Sequence, residues 1–218
     1  MELRLDISKE ASDIKEERRA NDPLDNMCQN IADVKKAVDW HEHYLKGAQE
    51  MGDTVKEGKA NACLGKYYNC LGKYEKAIDH HERHLRIAKD MGDRSGEGRA
   101  NGGLGVVYYN IGDFRKAIDY HERYLSITKE VCDKAGEGLA YGYLGIAYHA
   151  IGDFKKAIQC HEHSLRIATE VGDRARECSA YCGLGNAYGS LDDLKKAFDY
   201  FERCLEISTE TGDKQREV

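Results

Sequence analysis

The chain has 218 residues, a third of them charged, with a formal net charge of −6 and no Lys/Arg-rich run, which argues against nucleic acid as the main partner. Its longest apolar runs are only a few residues, too short for a membrane span, and MELRLDISKEASDIKEERR lacks the apolar core of a secretory signal. Eight cysteines without a C-x-x-C pair therefore read as reduced thiols of a cytoplasmic protein.

The chain repeats with a period of forty: His-Glu stands at 41, 81, 121 and 161, and Phe201 takes the next step. A catalytic word occurs once, so a word at fixed period marks a repeat array. Residues 5–17 align with 205–217, which makes 1–17 the second half of a preceding repeat. A degenerate unit follows at 18–57. There Pro23 falls in the expected first helix, Asp25 replaces a glycine and Cys28 a tyrosine. That helix is expected to be irregular, since an interior proline costs ~3 kcal/mol. Regular units follow at 58–97, 98–137, 138–177 and 178–218, within one solenoid domain.

A finer beat of twenty runs inside the units. Gly-Asp stands at 52–53, 92–93, 112–113, 152–153, 172–173 and 212–213, and Lys73, Cys132 and Asp192 are single variations at the intervening steps. Glycine tolerates the left-handed backbone just past a helix end, and aspartate accepts from the free amides of the next helix. Each interval then holds a helix of about 16–17 residues, roughly 25 Å long. Apolar spacing agrees: Ala100, Leu104, Val107, Tyr108 and Ile111 share one helical face, and Phe114, Ala117, Ile118, Leu125 and Ile127 share another. No stretch alternates like a strand. The fold class is all-α, built of antiparallel helix hairpins.

Leu104-Gly105 with Tyr108 and Ala117 resembles the tetratricopeptide (TPR) signature, and it recurs as Leu64-Gly65/Tyr68/Ala77, Leu144-Gly145/Tyr148/Ala157 and Leu184-Gly185/Tyr188/Ala197. Gly and Ala allow close helix approach while Leu and Tyr fill the space between, so Gly105 is expected to meet Ala117. The resemblance implies a right-handed superhelical solenoid with partner segments held on its concave side. The forty-residue unit, with G-E-G-R-A, L-G, G-D-F and A-I-x-Y-H-E words, is similar to the LGN/Pins group of G-protein signalling modulators, and Leu184-Gly185-Asn186 matches that group's name triplet.

The His-Glu words carry no metal chemistry. In HERHL the second histidine of a zinc-protease helix is displaced, because Leu85 stands four residues after His81. His80 and His84 do share a face, but the same steps hold Trp40/Tyr44, Tyr120/Tyr124 and Tyr200/Cys204, an aromatic packing stripe. Cys178 and Cys182 also lie four apart with no facing ligand pair evident, and read as small buried hydrophobes. GEGRANG at 96–102 breaks the dinucleotide pattern and follows no strand. No cofactor, metal site or enzyme activity is indicated.

The informative surface is the first helix of each unit, at positions 2, 5, 6, 9, 12 and 13. These give Lys59, Lys66 and Asn69, then Arg99, Gly102, Val106, Tyr109 and Asn110. The fourth unit gives Leu139, Tyr143, Ile146 and His149, and the last Ser179, Asn186 and Ser190. Apolar Val106, Tyr109, Leu139 and Ile146 stand where an unused surface would be polar. The LGN/Pins resemblance implies an Arg at position 2 and an Asn at position 9 gripping extended ligands; Arg99 and Asn186 match, with Arg19 and Lys59 similar to the former. The expected function is a non-catalytic scaffold or adaptor in the cytoplasm, holding a protein segment with acidic and apolar residues. Two alternatives remain: end-to-end stacking, with weak self-association at the array ends, and a metal or redox role for His and Cys.

Overall fold

The computed structural model describes residues 31–216, and among them there are nine helices and no strand. They are α1 (Ile31–Met51), α2 (Thr54–Cys70), α3 (Tyr74–Met91), α4 (Arg94–Ile111), α5 (Phe114–Glu130), α6 (Lys134–Ala150), α7 (Phe154–Val171), α8 (Arg174–Gly189) and α9 (Leu194–Arg216). The irregular helix expected around Pro23 and the half-repeat at 1–17 lie outside the described residues.

The twenty-residue beat sets the helix ends. Gly52, Gly72, Gly92, Gly112, Gly152 and Gly172 all have positive φ, and so do Cys132 and Asp192, the residues that replace glycine at the intervening steps. The following aspartates cap the next helix: Asp53, Asp93, Asp113, Asp133, Asp153 and Asp173 each accept from the backbone amide three residues on. Lys73 stands in the same place before α3 and makes no side-chain cap.

The helices pair as hairpins α2/α3, α4/α5, α6/α7 and α8/α9, and each hairpin also packs on the next. Leu64, Leu104 and Leu184 are wholly buried between the layers, with Ala77, Ala117 and Ala157 equally closed on the partner helices. First helices α2, α4, α6 and α8 also pack on one another in succession, closer than second helices do. First helices therefore form the inner wall of the curve.

The repeated His-Glu word joins successive hairpins. His81, His121 and His161 are buried. A Cβ added to Gly65 or Gly103 would fall 2.6 or 2.5 Å from the His81 ring, and one on Gly145 or Gly183 would fall 2.6 or 2.4 Å from His161. Each ring thus fills the gap between the glycine of its own hairpin and the first helix of the next. His121 does the same with Gly105 on one side, while Tyr143 stacks on the other at 4.9 Å. The atoms nearest to a Cβ on Gly105 all belong to the His121 ring, so a flat ring fills the notch that the glycine leaves. The glutamates point the other way. Tyr148 donates to Glu122 at 3.0 Å, and Tyr68 donates to Glu42, each time tying the signature tyrosine of one hairpin to the preceding second helix.

Candidate functional site

Three clefts run along the inner wall. The first, about 270 Å³, is lined by Lys59, Lys66 and Arg99 from first helices and by Trp40, Tyr44 and His84 from second helices. The second, about 320 Å³, lies between α4 and α6, with Arg99, Tyr124, Leu139 and Arg176 among its walls. The third, about 280 Å³, holds Leu139, Tyr143, Ile146, Arg176 and Ser179. Arg99 borders the first two clefts, and Leu139 and Arg176 border the last two, so the three form one continuous track.

Their chemistry changes along the array. Three cations line the first cleft, while the third has an apolar floor in which Ile146 is 43% exposed. Arg99 lies 3.5 Å from Asp93 and Arg176 2.6 Å from Asp173, so each arginine is oriented by the aspartate that caps its own helix. His84 sits at the back of the first cleft. Burial pulls it down to about 4, and the Arg99 charge pulls in the same direction. A neutral His84 leaves Lys59, Lys66 and Arg99 as that cleft's positive charges.

Of the residues expected in the groove, Lys59, Lys66, Arg99, Leu139, Tyr143, Ile146 and Ser179 line the clefts. Val106, Tyr109, Asn110, Asn69, His149 and Asn186 lie outside them. Several of these make contacts of their own. Asn110 donates to Asn69 Oδ1 at 2.9 Å, and His149 is hydrogen-bonded to Ser190 at 3.0 Å, each linking one first helix to the next. Tyr109 packs on Phe114 and His149 on Phe154, at 5.3 and 5.2 Å.

Trp40, Tyr44, His84, Tyr124 and Arg176 line the clefts without having been expected in the groove. The first four belong to the presumed packing stripe of second helices, yet they reach the clefts where a first helix offers only small residues: Gly98 and Gly102 face Tyr124. Arg176 had a usable signal, since it replaces the glycine found at 96 and 136.

The last hairpin differs from expectation in its sulfur chemistry. Cys204 on α9 faces Cys178 and Cys182 on α8, and the three sulfurs lie within 4.8 Å of one another. Cys178 and Cys204 stand in position to pair as a disulfide, with Cα atoms 4.6 Å apart, and the Cys182 sulfur lies 2.9 Å from that of Cys204. The expectation of no ligand facing Cys178 and Cys182 is corrected by this cluster, which becomes visible only once α8 and α9 are paired.

Solved structures with the same arrangement of hairpins include BtubC (BKLC) from P. vanneervenii, with a TM-score of 0.74 and 23% identity over 83% of this chain and 75% of that one. A Rap protein complexed with competence and sporulation factor gives 0.75 and 15% identity, over 84% of this chain and 51% of that one. A signal transduction ATPase with numerous domains from Pyrococcus horikoshii, which carries a tetratricopeptide repeat sensor, gives 0.72 and 22% identity over 84% and 28%. At these identities the likeness establishes the fold, a right-handed superhelix of hairpins. A search of curated proteins returns no match. The tetratricopeptide repeat profile matches residues 57–130 and 137–210. With the four Leu-Gly pairs of the signature buried and two profile matches spanning most of the sequence, the chain belongs to the tetratricopeptide repeat family.

Proposed function

We propose that the chain is a non-catalytic interaction scaffold that holds an extended segment of a partner protein along its inner wall. The observation that carries this reading is the continuous track of clefts, basic at Lys59, Lys66 and Arg99 and apolar at Leu139, Tyr143 and Ile146. A complementary segment has Asp or Glu over α2 and α4 and an apolar side chain over α6. Charged rim contacts govern the association rate, and the apolar anchor governs the dissociation rate. That one neighbouring fold is described in complex with competence and sporulation factor and another as a sensor fits a segment-binding role. The LGN/Pins likeness supports a place in signalling: Arg99, one of its two matching residues, lies in the clefts, and Asn186 is exposed on the same helix layer.

A random peptide library selected on the immobilised chain tests this, with a Lys66→Glu/Arg99→Glu/Ile146→Asp variant as counter-screen. The expected winners pair an acidic cluster with one apolar anchor and do not bind the variant. Winners that bind both proteins equally overturn the groove reading.

End-to-end stacking is favoured as a second reading by α9, where Leu194, Phe198, Phe201 and Leu205 are 41–70% exposed along one helix. Light scattering against concentration separates the two: a mass that rises with concentration, and falls in Phe198→Asp, supports stacking.

A further inference from the structure

The three cysteines of the last hairpin occupy one register. Cys178 stands where the other hairpins have Gly58, Gly98 and Gly138, and Cys182 stands where they have Ala62, Gly102 and Gly142. Cys204 takes the place of His84, Tyr124 and Ser164. In those hairpins the same positions touch: a Cβ on Gly98 or Gly102 would meet Tyr124, and one on Gly142 would meet Ser164 Oγ at 3.5 Å. The backbone itself therefore brings these positions together, and in this hairpin alone all three are sulfur.

We propose that Cys178, Cys182 and Cys204, in their reduced form, are a three-thiolate site for a thiophilic d10 cation, zinc or monovalent copper. Zinc takes thiolate sulfurs at ~2.3 Å, which sets the sulfurs around one ion roughly 4 Å apart. Three sulfurs within 4.8 Å of one another match that spacing with small rotamer changes. Thiolate is the ligand that soft ions prefer over the carboxylates elsewhere on the surface. Binding is proton exchange without redox change: three S–H bonds release three protons as three metal–sulfur bonds form. Because the ligands bind as thiolates, protons compete with the ion for them. The fourth coordination position stays open, as in sites with three protein ligands, and the Ser208 hydroxyl, 3.4 Å from the Cys178 sulfur, borders it.

The site lies on the α8/α9 crossing, at the same register where Tyr124 and Ser164 close the earlier hairpins. An ion there ties α8 to α9 in the hairpin whose outer helix has no described neighbour beyond it. It fixes the last described hairpin without using any residue of the groove proposed above.

Cadmium is the spectroscopic probe. The full chain, without a histidine tag and kept reduced with a phosphine, is titrated with Cd²⁺. The expected result is an ultraviolet thiolate charge-transfer band that saturates at one ion per chain, is competed away by Zn²⁺ or Cu⁺, and raises the melting temperature. Cys178→Gly and Cys182→Ala install residues that other hairpins carry at those positions, so both fold. Each should weaken Cd²⁺ binding by at least the ~10–100-fold seen when a ligand's supporting partner is lost. Cys63→Ser and Cys160→Ser should leave the titration unchanged. A band that survives both triad variants overturns the site. So does a Cys178–Cys204 disulfide that persists, with Cys182 alkylated, at a cytosolic glutathione potential.

Discussion

Acid should unfold this protein through its histidines before its carboxylates titrate. Burial holds His81 near 3 and His84, His121 and His161 near 4, against an ordinary 6.5. The Nδ1 atoms of these four rings have no hydrogen-bond partner. The charges that face them do little to help: His81 lies near Lys66, His80 and His84, and His84 near Arg99 and Lys66 with Asp93 alone opposing. Below pH 6.5 the unfolded chain takes up protons that the native rings refuse. Stability is therefore full above about pH 6.5 and falls as the pH approaches 4. At pH 5 each ring contributes a loss of roughly 2 kcal/mol, and four contribute at most ~8 kcal/mol, comparable with the ~5–15 kcal/mol that holds a domain. Urea unfolding followed by helical circular dichroism at pH 7, 6 and 5 measures the slope. The chain supplies its own control, since Phe201 holds the histidine register in the last hairpin and packs 2.8 Å from where a Cβ on Gly185 would lie. His121→Phe should therefore fold and remove about one proton from the slope. A flat profile from pH 7 to 5, or a slope unchanged in His121→Phe, refutes the reasoning.

Gly105→Ala should cost ~1–3 kcal/mol, because the added carbon falls 2.4 Å from a ring that is itself enclosed; a melting curve like wild type would show the ring free to move. Gly47→Ala is the counterpart: its Cβ meets nothing within 4 Å, so helix propensity should add about 0.5–1 kcal/mol, read as a higher melting temperature. Lys73→Asp should supply the missing cap of α3 and add about 1 kcal/mol, unless loss of the Lys73 contact with the Tyr68 ring cancels it. Cys132→Gly relieves a left-handed backbone at φ 57 and should add roughly 0.5 kcal/mol after the entropy that glycine loses on folding; no rise in denaturant midpoint would count against it.

How much of this was legible depends on the distance over which a residue acts. The Gly-Asp beat was readable because a left-handed turn and a cap are made within four residues, and even the replacements Cys132 and Asp192 take the glycine's conformation. The Leu64, Leu104 and Ala117 core was readable because helical period alone puts each of those residues on the apolar face of its own helix. Gly65, His81 and Gly103 form a single contact from three helices, and no period links them, so the histidines read only as generic packing residues. The groove fails for a related reason. Whether Tyr124 or Arg176 reaches a cleft depends on how far successive hairpins rotate, which no single unit contains. The cysteine triad was present in the sequence in another form: comparing the same positions in successive units shows Gly138, Gly142 and Ser164 give way to Cys178, Cys182 and Cys204.

The positions that hold the array together and those that could read a partner are adjacent in sequence but separate in role. In four successive first helices the packing position is glycine, at 65, 105, 145 and 185, and each glycine is closed by a ring from a second helix. The next residue is Lys66, Val106, Ile146 and Asn186: a cation, two aliphatics and an amide on one scaffold position. Residues with such different burial preferences can alternate there only if folding does not depend on which one is present. Glycine and histidine fix the backbone, and the neighbouring side chain is left for recognition. Groove substitutions such as Lys66→Glu should therefore change what is bound while leaving stability within the ~0.5 kcal/mol of an ordinary surface change. Substitutions one residue earlier should do the reverse.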